Sequence, residues 1–239
     1  MNLLAVDTSA SYLSVSVSAQ NKIWHREIEA VTRHSELLMD SIDSLIKEAS
    51  LNARDLNGIL CMGGPGSFTG LRIGFCAAKG LALALGIPFA HIPTLECIAS
   101  SIAQPACPVL PVIMARKNAF FCAMFSGLNN EGAERSIPLL ERLCPDMDAS
   151  LPEITALIEG RAQKTLLTGP GAEILYNTLP QRLIGQIELS VMNRGYSREL
   201  IEIAKINKIL DNDNTFGFFE GPEYIRKTDA EAALSAACK

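Results

Sequence analysis

MGGPGSFTGLRIGFCAAKGLALALG, Met62 to Gly86, decides the fold. A short apolar run, Gly58–Cys61, precedes it and reads as a buried strand. A glycine-proline turn follows, then a long segment whose only helix breaker is glycine. Strand, glycine-rich turn and helix in that order leave backbone N–H groups free at the helix start, pointing at whatever sits over the turn. Gly70, Gly74, Ala78, Ala82 and Gly86 recur at every fourth position. That spacing lays a flat stripe along one helix face, which another backbone or helix can fill closely. GPGSFTG is not a P-loop, since no G-K-[ST] closes it, and it is not a dinucleotide G-x-G-x-x-G. A plainer reading stands beside these: a helix packed on its own sheet also selects Gly and Ala, and many glycine turns only turn.

Upstream, Leu3–Val6 reads as a short strand ending in Asp7-Thr8-Ser9. In Tyr12–Ala19, Leu13, Val15 and Val17 alternate with Ser14, Ser16 and Ser18, a period-two strand with one wet or closely packed face. Lys22–Ile28 gives a third strand. Thr32–Ala49 reads as a helix with Leu38, Ile42, Leu45 and Ile46 on its apolar face and Thr32 or Ser35 as N-cap. Downstream of Pro88, Phe89–Ile92 is a strand and Thr94–Ala103 a helix.

Two prolines within Gln104–Pro108 mark a break, after which the order restarts. Val109–Met114, a turn at Arg116–Asn118 and Ala119–Phe125 repeat the strand-turn-strand opening. Thr165–Thr168 then runs into Gly169-Pro170-Gly171 and a helix, as the earlier strand runs into Gly64-Pro65-Gly66. Asp7 lies 59 residues before Gly66, and Met114 lies 57 before Gly171. One α/β fold used twice is the reading, with lobes at 1–104 and 105–239. The second copy is degenerate: Ile187–Val191 reads as a strand and Arg198–Leu210 as a helix. Phe216, Phe218 and Phe219 form an apolar knot in the tail.

Composition bounds the function. The chain has 239 residues, 48% hydrophobic and 20% charged, enough for a substantial core. A net charge of −5 and a pI near 5.3 offer no basic surface, so nucleic-acid work would need a basic partner. Seven cysteines, an odd number with no C-x-x-C pair, read as reduced core thiols and point to the cytoplasm. The N-terminal MNLLAVDTSAS lacks the basic start of a signal peptide, and no uncharged run approaches the ~18 residues of a membrane span.

Duplicated α/β lobes facing each other across a cleft are one way to hold nucleotide phosphates, with hydroxyls and N–H groups for oxyanions and carboxylates for Mg²⁺. Asp7, Thr8 and Ser9 supply these at the first hairpin; a simple turn is the alternative. At the mirrored position stands Met114, so the site is half built. His25, His34 and His91 have no metal-ligand spacing. His34 and Glu36 read as a solvated pair at the helix start. No nucleophile elbow or Cys-His pair is present. Arg72 and Lys79, seven residues apart, lie on nearly one face of the central helix, and Arg72 sits where the helix dipole disfavours a cation. A bound anion or an acidic partner would compensate; a solvated face is the bland reading.

LLAVDTS at the N-terminus, HSELLM in the first long helix and GGPGSFTGLRIGFCAAKGLALALGIP together resemble the TsaB (YeaZ) family, as does Pro222-Glu223-Tyr224-Ile225-Arg226 near the end. The resemblance implies an actin/Hsp70/sugar-kinase-like (ASKHA) α/β fold with two related lobes. It implies a non-catalytic relative of TsaD, acting with TsaD and the ATPase TsaE to place threonylcarbamoyl, from threonylcarbamoyl-AMP, on N6 of the adenosine beside the tRNA anticodon. In TsaD the equivalent helix leads to an N-H-M-E-G-H metal motif; here His91-Ile92-Pro93-Thr94-Leu95-Glu96-Cys97 lacks the histidine pair. The family pairs with itself or with TsaD through first-lobe helices. The resemblance therefore places partner contacts on Gly70, Arg72, Gly74, Ala78, Lys79 and Ala82. Nucleotide contacts would fall on Asp7, Thr8, Ser9, Gly64, Pro65, Gly66, Ser67 and Thr69, with ATP or ADP at a complex interface and no cofactor of its own. Transfer RNA is met only through the complex. The family's D-A-R-x-x-E-V-Y at the second hairpin is here Met114-Ala115-Arg116-Lys117-Asn118-Ala119-Phe120-Phe121, with both acids gone. A small kinase of the same fold, pantothenate-kinase-like, is the alternative.

Overall fold

Alternating and continuous apolar runs build two sheets in the computed structural model, which describes residues 1–102, 107–127, 137, 140–210, 221, 222 and 225. The first sheet contains β1 (Leu3–Asp7), β2 (Tyr12–Ala19), β3 (Lys22–Glu29), β4 (Gly58–Gly64) and β5 (Phe89–Pro93) in the order β3-β2-β1-β4-β5. β1 and β4 are buried throughout, as strands covered on both faces must be, and β3 is the more exposed edge. The β1–β2 and β2–β3 pairs are antiparallel; β1–β4 and β4–β5 are parallel.

Helices α1 (His34–Glu48) and α2 (Phe68–Leu85) cover one face of this sheet. α2 begins with Ser67 as N-cap, its Oγ accepting the N–H of Gly70 at 3.2 Å, and ends at Gly86 in the left-handed conformation that glycine adopts without a Cβ clash. Neither Thr32 nor Ser35 caps α1. Arg33 holds that position without a side-chain cap, and its guanidinium pairs with Glu36 across the first turn.

The second sheet repeats the first. β6 (Val109–Arg116) and β7 (Ala119–Cys122) form a hairpin, followed by β8 (Phe125–Gly127), β9 (Leu140–Arg142) and β10 (Met147–Ser150). After α4 (Leu151–Glu159) come β11 (Thr165–Thr168), α5 (Ala172–Thr178), α6 (Gln181–Ile184) and β12 (Ile187–Ser190). The order β10-β7-β6-β11-β12, with the same parallel and antiparallel pairs, matches the first sheet strand for strand; β8 and β9 are additions beside β6. This is the doubled α/β architecture of the actin/Hsp70/sugar-kinase class.

α3 (Thr94–Ser100) and α7 (Ser197–Ile206) lie between the sheets. Leu200, Ile201 and Ala204 of α7 share one buried cluster with Leu3, Ala5 and Leu60 of the first sheet and Val109 and Ile113 of the second. α7, although it follows the second sheet in the chain, thus packs its apolar face into the cluster that the two sheets share. The Phe216–Phe219 knot, Glu223, Tyr224, Arg226 and most of the Gln104–Pro108 break lie outside the described residues.

Candidate functional site

The Asp7-Thr8-Ser9 turn and the Gly64–Thr69 turn do come together. β1 and β4 run parallel, so their ends place both turns at the same edge of the sheet. They meet by binding each other. Ser67 donates its backbone N–H to the Ser9 carbonyl at 2.7 Å, and the Thr8 hydroxyl donates to the Gly70 carbonyl at 2.7 Å. A Cβ on Gly66 would lie 2.6 Å from the Ser9 carbonyl oxygen, and one on Gly70 2.0 Å from that of Thr8. One on Gly74 would lie 2.3 Å from Thr8 Oγ1. These glycines admit the chain's own hairpin.

That geometry corrects two expectations. Gly70, Gly74, Ala78 and Ala82 are buried against the first sheet, so the stripe they form is not a partner contact. Asp7, Thr8 and Ser9 are each at most 2% exposed, and the groups expected to face a nucleotide are bonded within the chain. Ser67 and Thr69 remain exposed, and Gly64 and Pro65 are buried.

Asp7 is closed in from the far end of the chain. Its Oδ1 accepts the backbone N–H of Ser9 at 2.9 Å and the Ser9 hydroxyl at 2.6 Å, while its Oδ2 accepts the N–H of Tyr196 at 2.8 Å. Burial raises the carboxyl above its ordinary value, with the Ser9 and Tyr196 bonds opposing. Gly195 donates its N–H to Glu27 Oε2 at 2.9 Å, and Ser197 donates its N–H to Ser14 Oγ at 3.1 Å. Three successive amides at the start of α7 thus seat on a carboxylate, a second carboxylate and a hydroxyl, the acceptors a helix N-terminus prefers. Sequence reasoning missed Glu27, Gly195, Tyr196 and Ser197. The signal was the alternating serines of β2, fully buried here beneath α7.

On the other lobe, Met114 is half exposed at the end of β6. Arg116 pairs with Asp148 of β10 at 2.5 Å. His34 is buried on the inner face of α1 while Glu36 is exposed, so the two do not form a solvated pair. His91 packs its ring 5.6 Å from that of Phe75. Among the described residues no three His, Cys, Asp or Glu side chains group as a metal site would require.

The outer face of α2 differs from the inner. Thr69, Arg72, Cys76, Gly80, Leu83 and Ala84 are exposed, and Arg72 lies over the Phe68 ring at 3.9 Å. Cys76, Gly80 and Ala84 form a second small-residue row at four-residue spacing, turned outward. A Cβ on Gly80 would meet nothing within 4 Å. α2 is also the one described helix long and apolar enough to cross a membrane, with a mean hydropathy of 1.4. It carries Arg72 and Lys79 and lies on the sheet.

The family described as TsaD, tRNA N6-adenosine threonylcarbamoyltransferase, has a model that matches residues 24–171. The tRNA threonylcarbamoyladenosine biosynthesis protein TsaB of Buchnera aphidicola subsp. Baizongia pistaciae is 30% identical over 212 residues, covering 87% of this chain and 90% of the relative. The chain belongs to the TsaB family. TsaB of Bacillus subtilis is 25% identical over 233 residues, 97% of each chain. YeaZ from Pseudomonas aeruginosa superposes with a TM-score of 0.68 at 21% identity, over 87% of this chain and 92% of that one. A second Pseudomonas aeruginosa structure, of an uncharacterized protein similar to peptidase YEAZ, reaches 0.74 at 21% over 94% and 99%. These two structures share the fold. In this TsaB-family chain, that fold holds its first-lobe turns closed upon themselves.

Proposed function

We propose that this chain is a non-catalytic partner subunit in the synthesis of tRNA threonylcarbamoyladenosine. In this reading it works in the cytoplasm with TsaD, which carries the transferase site, and with the ATPase TsaE. One observation carries the proposal: the turn that would hold phosphates in a kinase of this fold is bonded shut, with Asp7 consumed by Ser9 and Tyr196. A kinase needs a carboxylate free to meet a metal or a hydroxyl in the cleft. Asp7 is not free, and Met114 stands on the opposite hairpin.

The docking surface in this proposal is the outer face of α2 and the neighbouring α1. Phe68, Leu83 and Met39 are exposed there, and a mid-helix glycine at Gly80 has no intramolecular reason to lack a side chain. Close approach by a partner helix supplies one. α1 exposes Glu36, Asp40 and Asp43, and the neighbouring α2 exposes Arg72 and, in part, Lys79. A partner with the same two helices, either TsaD or a second copy of this chain, would meet acid with base across a two-fold arrangement. Arg72 and Lys79 remain partner contacts in this reading; the stripe from Gly70 to Ala82 gives way to the Cys76–Gly80–Ala84 row. ATP or ADP belongs to an interface with TsaD and TsaE, and tRNA reaches this acidic chain only within the complex. Reconstituted tRNA modification with TsaD, TsaE and threonylcarbamoyl-AMP tests the reading. Omitting this chain should abolish modification, and undiminished modification without it would refute the role.

A further inference from the structure

The buried polar row beneath α7 contains a feature that the docking surface does not use. Ser16 Oγ, fully buried, lies 2.9 Å from His25 Nδ1 and 2.8 Å from Ser197 Oγ. Ser197 Oγ is itself 3.4 Å from His25 Nδ1. His25 Nε2 faces Glu27 at 3.8 Å, and the imidazole side chain is 22% exposed, so solvent protons reach it. The charged groups around the ring are Glu27 on β3, Arg194 before α7, and Arg198 and Glu199 on α7. Arg194 and Glu199 are paired at 2.6 Å.

We propose that His25, Ser16 and Ser197 form a proton-sensitive latch that holds the first turn of α7 on the first sheet and releases it when His25 is protonated. The count of hydrogens carries the argument. With neutral His25 bearing its proton on Nε2, toward Glu27, Nδ1 accepts the Ser16 O–H and Ser16 Oγ accepts the Ser197 O–H. The hydroxyl protons of Ser16 and Ser197 then both have acceptors. Protonation turns Nδ1 into a donor. Ser16 must then accept from His25 and point its own hydrogen at Ser197 Oγ. The Ser197 hydroxyl is left, buried, with no acceptor among the described contacts, and an unmade buried hydrogen bond is the costly kind. Burial, the largest influence, together with Arg194 and Arg198, disfavours the imidazolium, while Glu27 and Glu199 favour it.

The latch sits where the chain returns from the second sheet to the first, beside the bonds by which the amides of Gly195, Tyr196 and Ser197 seat on Glu27, Asp7 and Ser14. Its release loosens the attachment between the lobes without touching the outer face of α2.

Hydrogen exchange on the intact chain tests this, after correction for the intrinsic pH dependence of exchange. The amides of Gly195, Tyr196 and Ser197 should lose protection severalfold between about pH 7.5 and about pH 5.5. Amides in the middle of α1 should hold. His25→Asn keeps an acceptor in the place of Nδ1 and cannot titrate; it should retain the neutral-pH protection and lose the pH dependence. Ser16→Ala should show low protection at both pH values. Equal wild-type protection at both pH values would overturn the latch, as would an unaltered pH dependence in His25→Asn.

Discussion

The carboxylate of Asp7 accepts the backbone N–H of Tyr196 at 2.8 Å, joining residues 189 apart in the chain. The group that would face a metal-bound nucleotide in a kinase of this fold is here the seat of the last described helix. Asp7→Ala leaves the buried N–H groups of Ser9 and Tyr196 without acceptors. It should lower unfolding stability by about 3 kcal/mol, measured by urea titration. A loss under about 0.5 kcal/mol would mean that Asp7 does not anchor α7.

Two glycines of α2 should answer oppositely to the same substitution. Gly74→Ala drives a methyl to within 2.3 Å of Thr8 Oγ1 and should cost about 1–3 kcal/mol. Gly80→Ala meets nothing in the chain and should stabilise it by about 0.5–1 kcal/mol through helix propensity. The same Gly80→Ala should weaken association with TsaD. Thermal melts and titration calorimetry separate the two effects, and unchanged affinity in Gly80→Ala would remove that residue from the docking surface.

The contrast marks the limit of what the sequence discloses. The strands ending at Asp7 and before Gly64, the serine-alternating strand and the doubled order were legible because periodicity and spacing are local properties. The four-residue row from Gly70 to Ala82 was equally legible, but periodicity says which residues share a face and not which neighbour that face meets. The outward row of Cys76, Gly80 and Ala84 has the same period and went unread. α4 was legible in principle from its capping box, Ser150 and Glu153, which are bonded at 2.6 Å and 2.7 Å. The seating of α7 was not, because Asp7, Ser14 and Glu27 find their partners only after two lobes have formed.

Stability should fall on mild acidification through His25. Its folded pKa lies below the ordinary 6.5 because burial disfavours the cation. The unfolded chain therefore binds more protons in that window. His25 contributes stability that is present above about pH 6.5 and lost as the pH falls through the folded value. The urea midpoint of the wild-type chain should drop across this range relative to His25→Asn. Parallel curves for the two proteins would contradict the assignment.

Nucleotide should find no site on the isolated chain. Calorimetric titration with ATP and Mg²⁺ should give no saturable heat, and phosphate release should stay at background. Metal-dependent turnover by the purified chain would restore the kinase reading.

Charge reversal on the outer face of α2 should act mainly on association. Arg72→Glu should weaken TsaD binding by at least about tenfold and cost stability only the order of its cation–π contact with Phe68, about 0.5–1 kcal/mol. An equal loss of stability would mean that the side chain serves the fold.

Light-scattering chromatography of the chain alone, with TsaD, and with TsaD plus TsaE and ATP tests the central claim most directly. The account predicts a stoichiometric complex with TsaD that replaces any self-association and is lost in Arg72→Glu. A chain whose mass is the same with and without TsaD would contradict it.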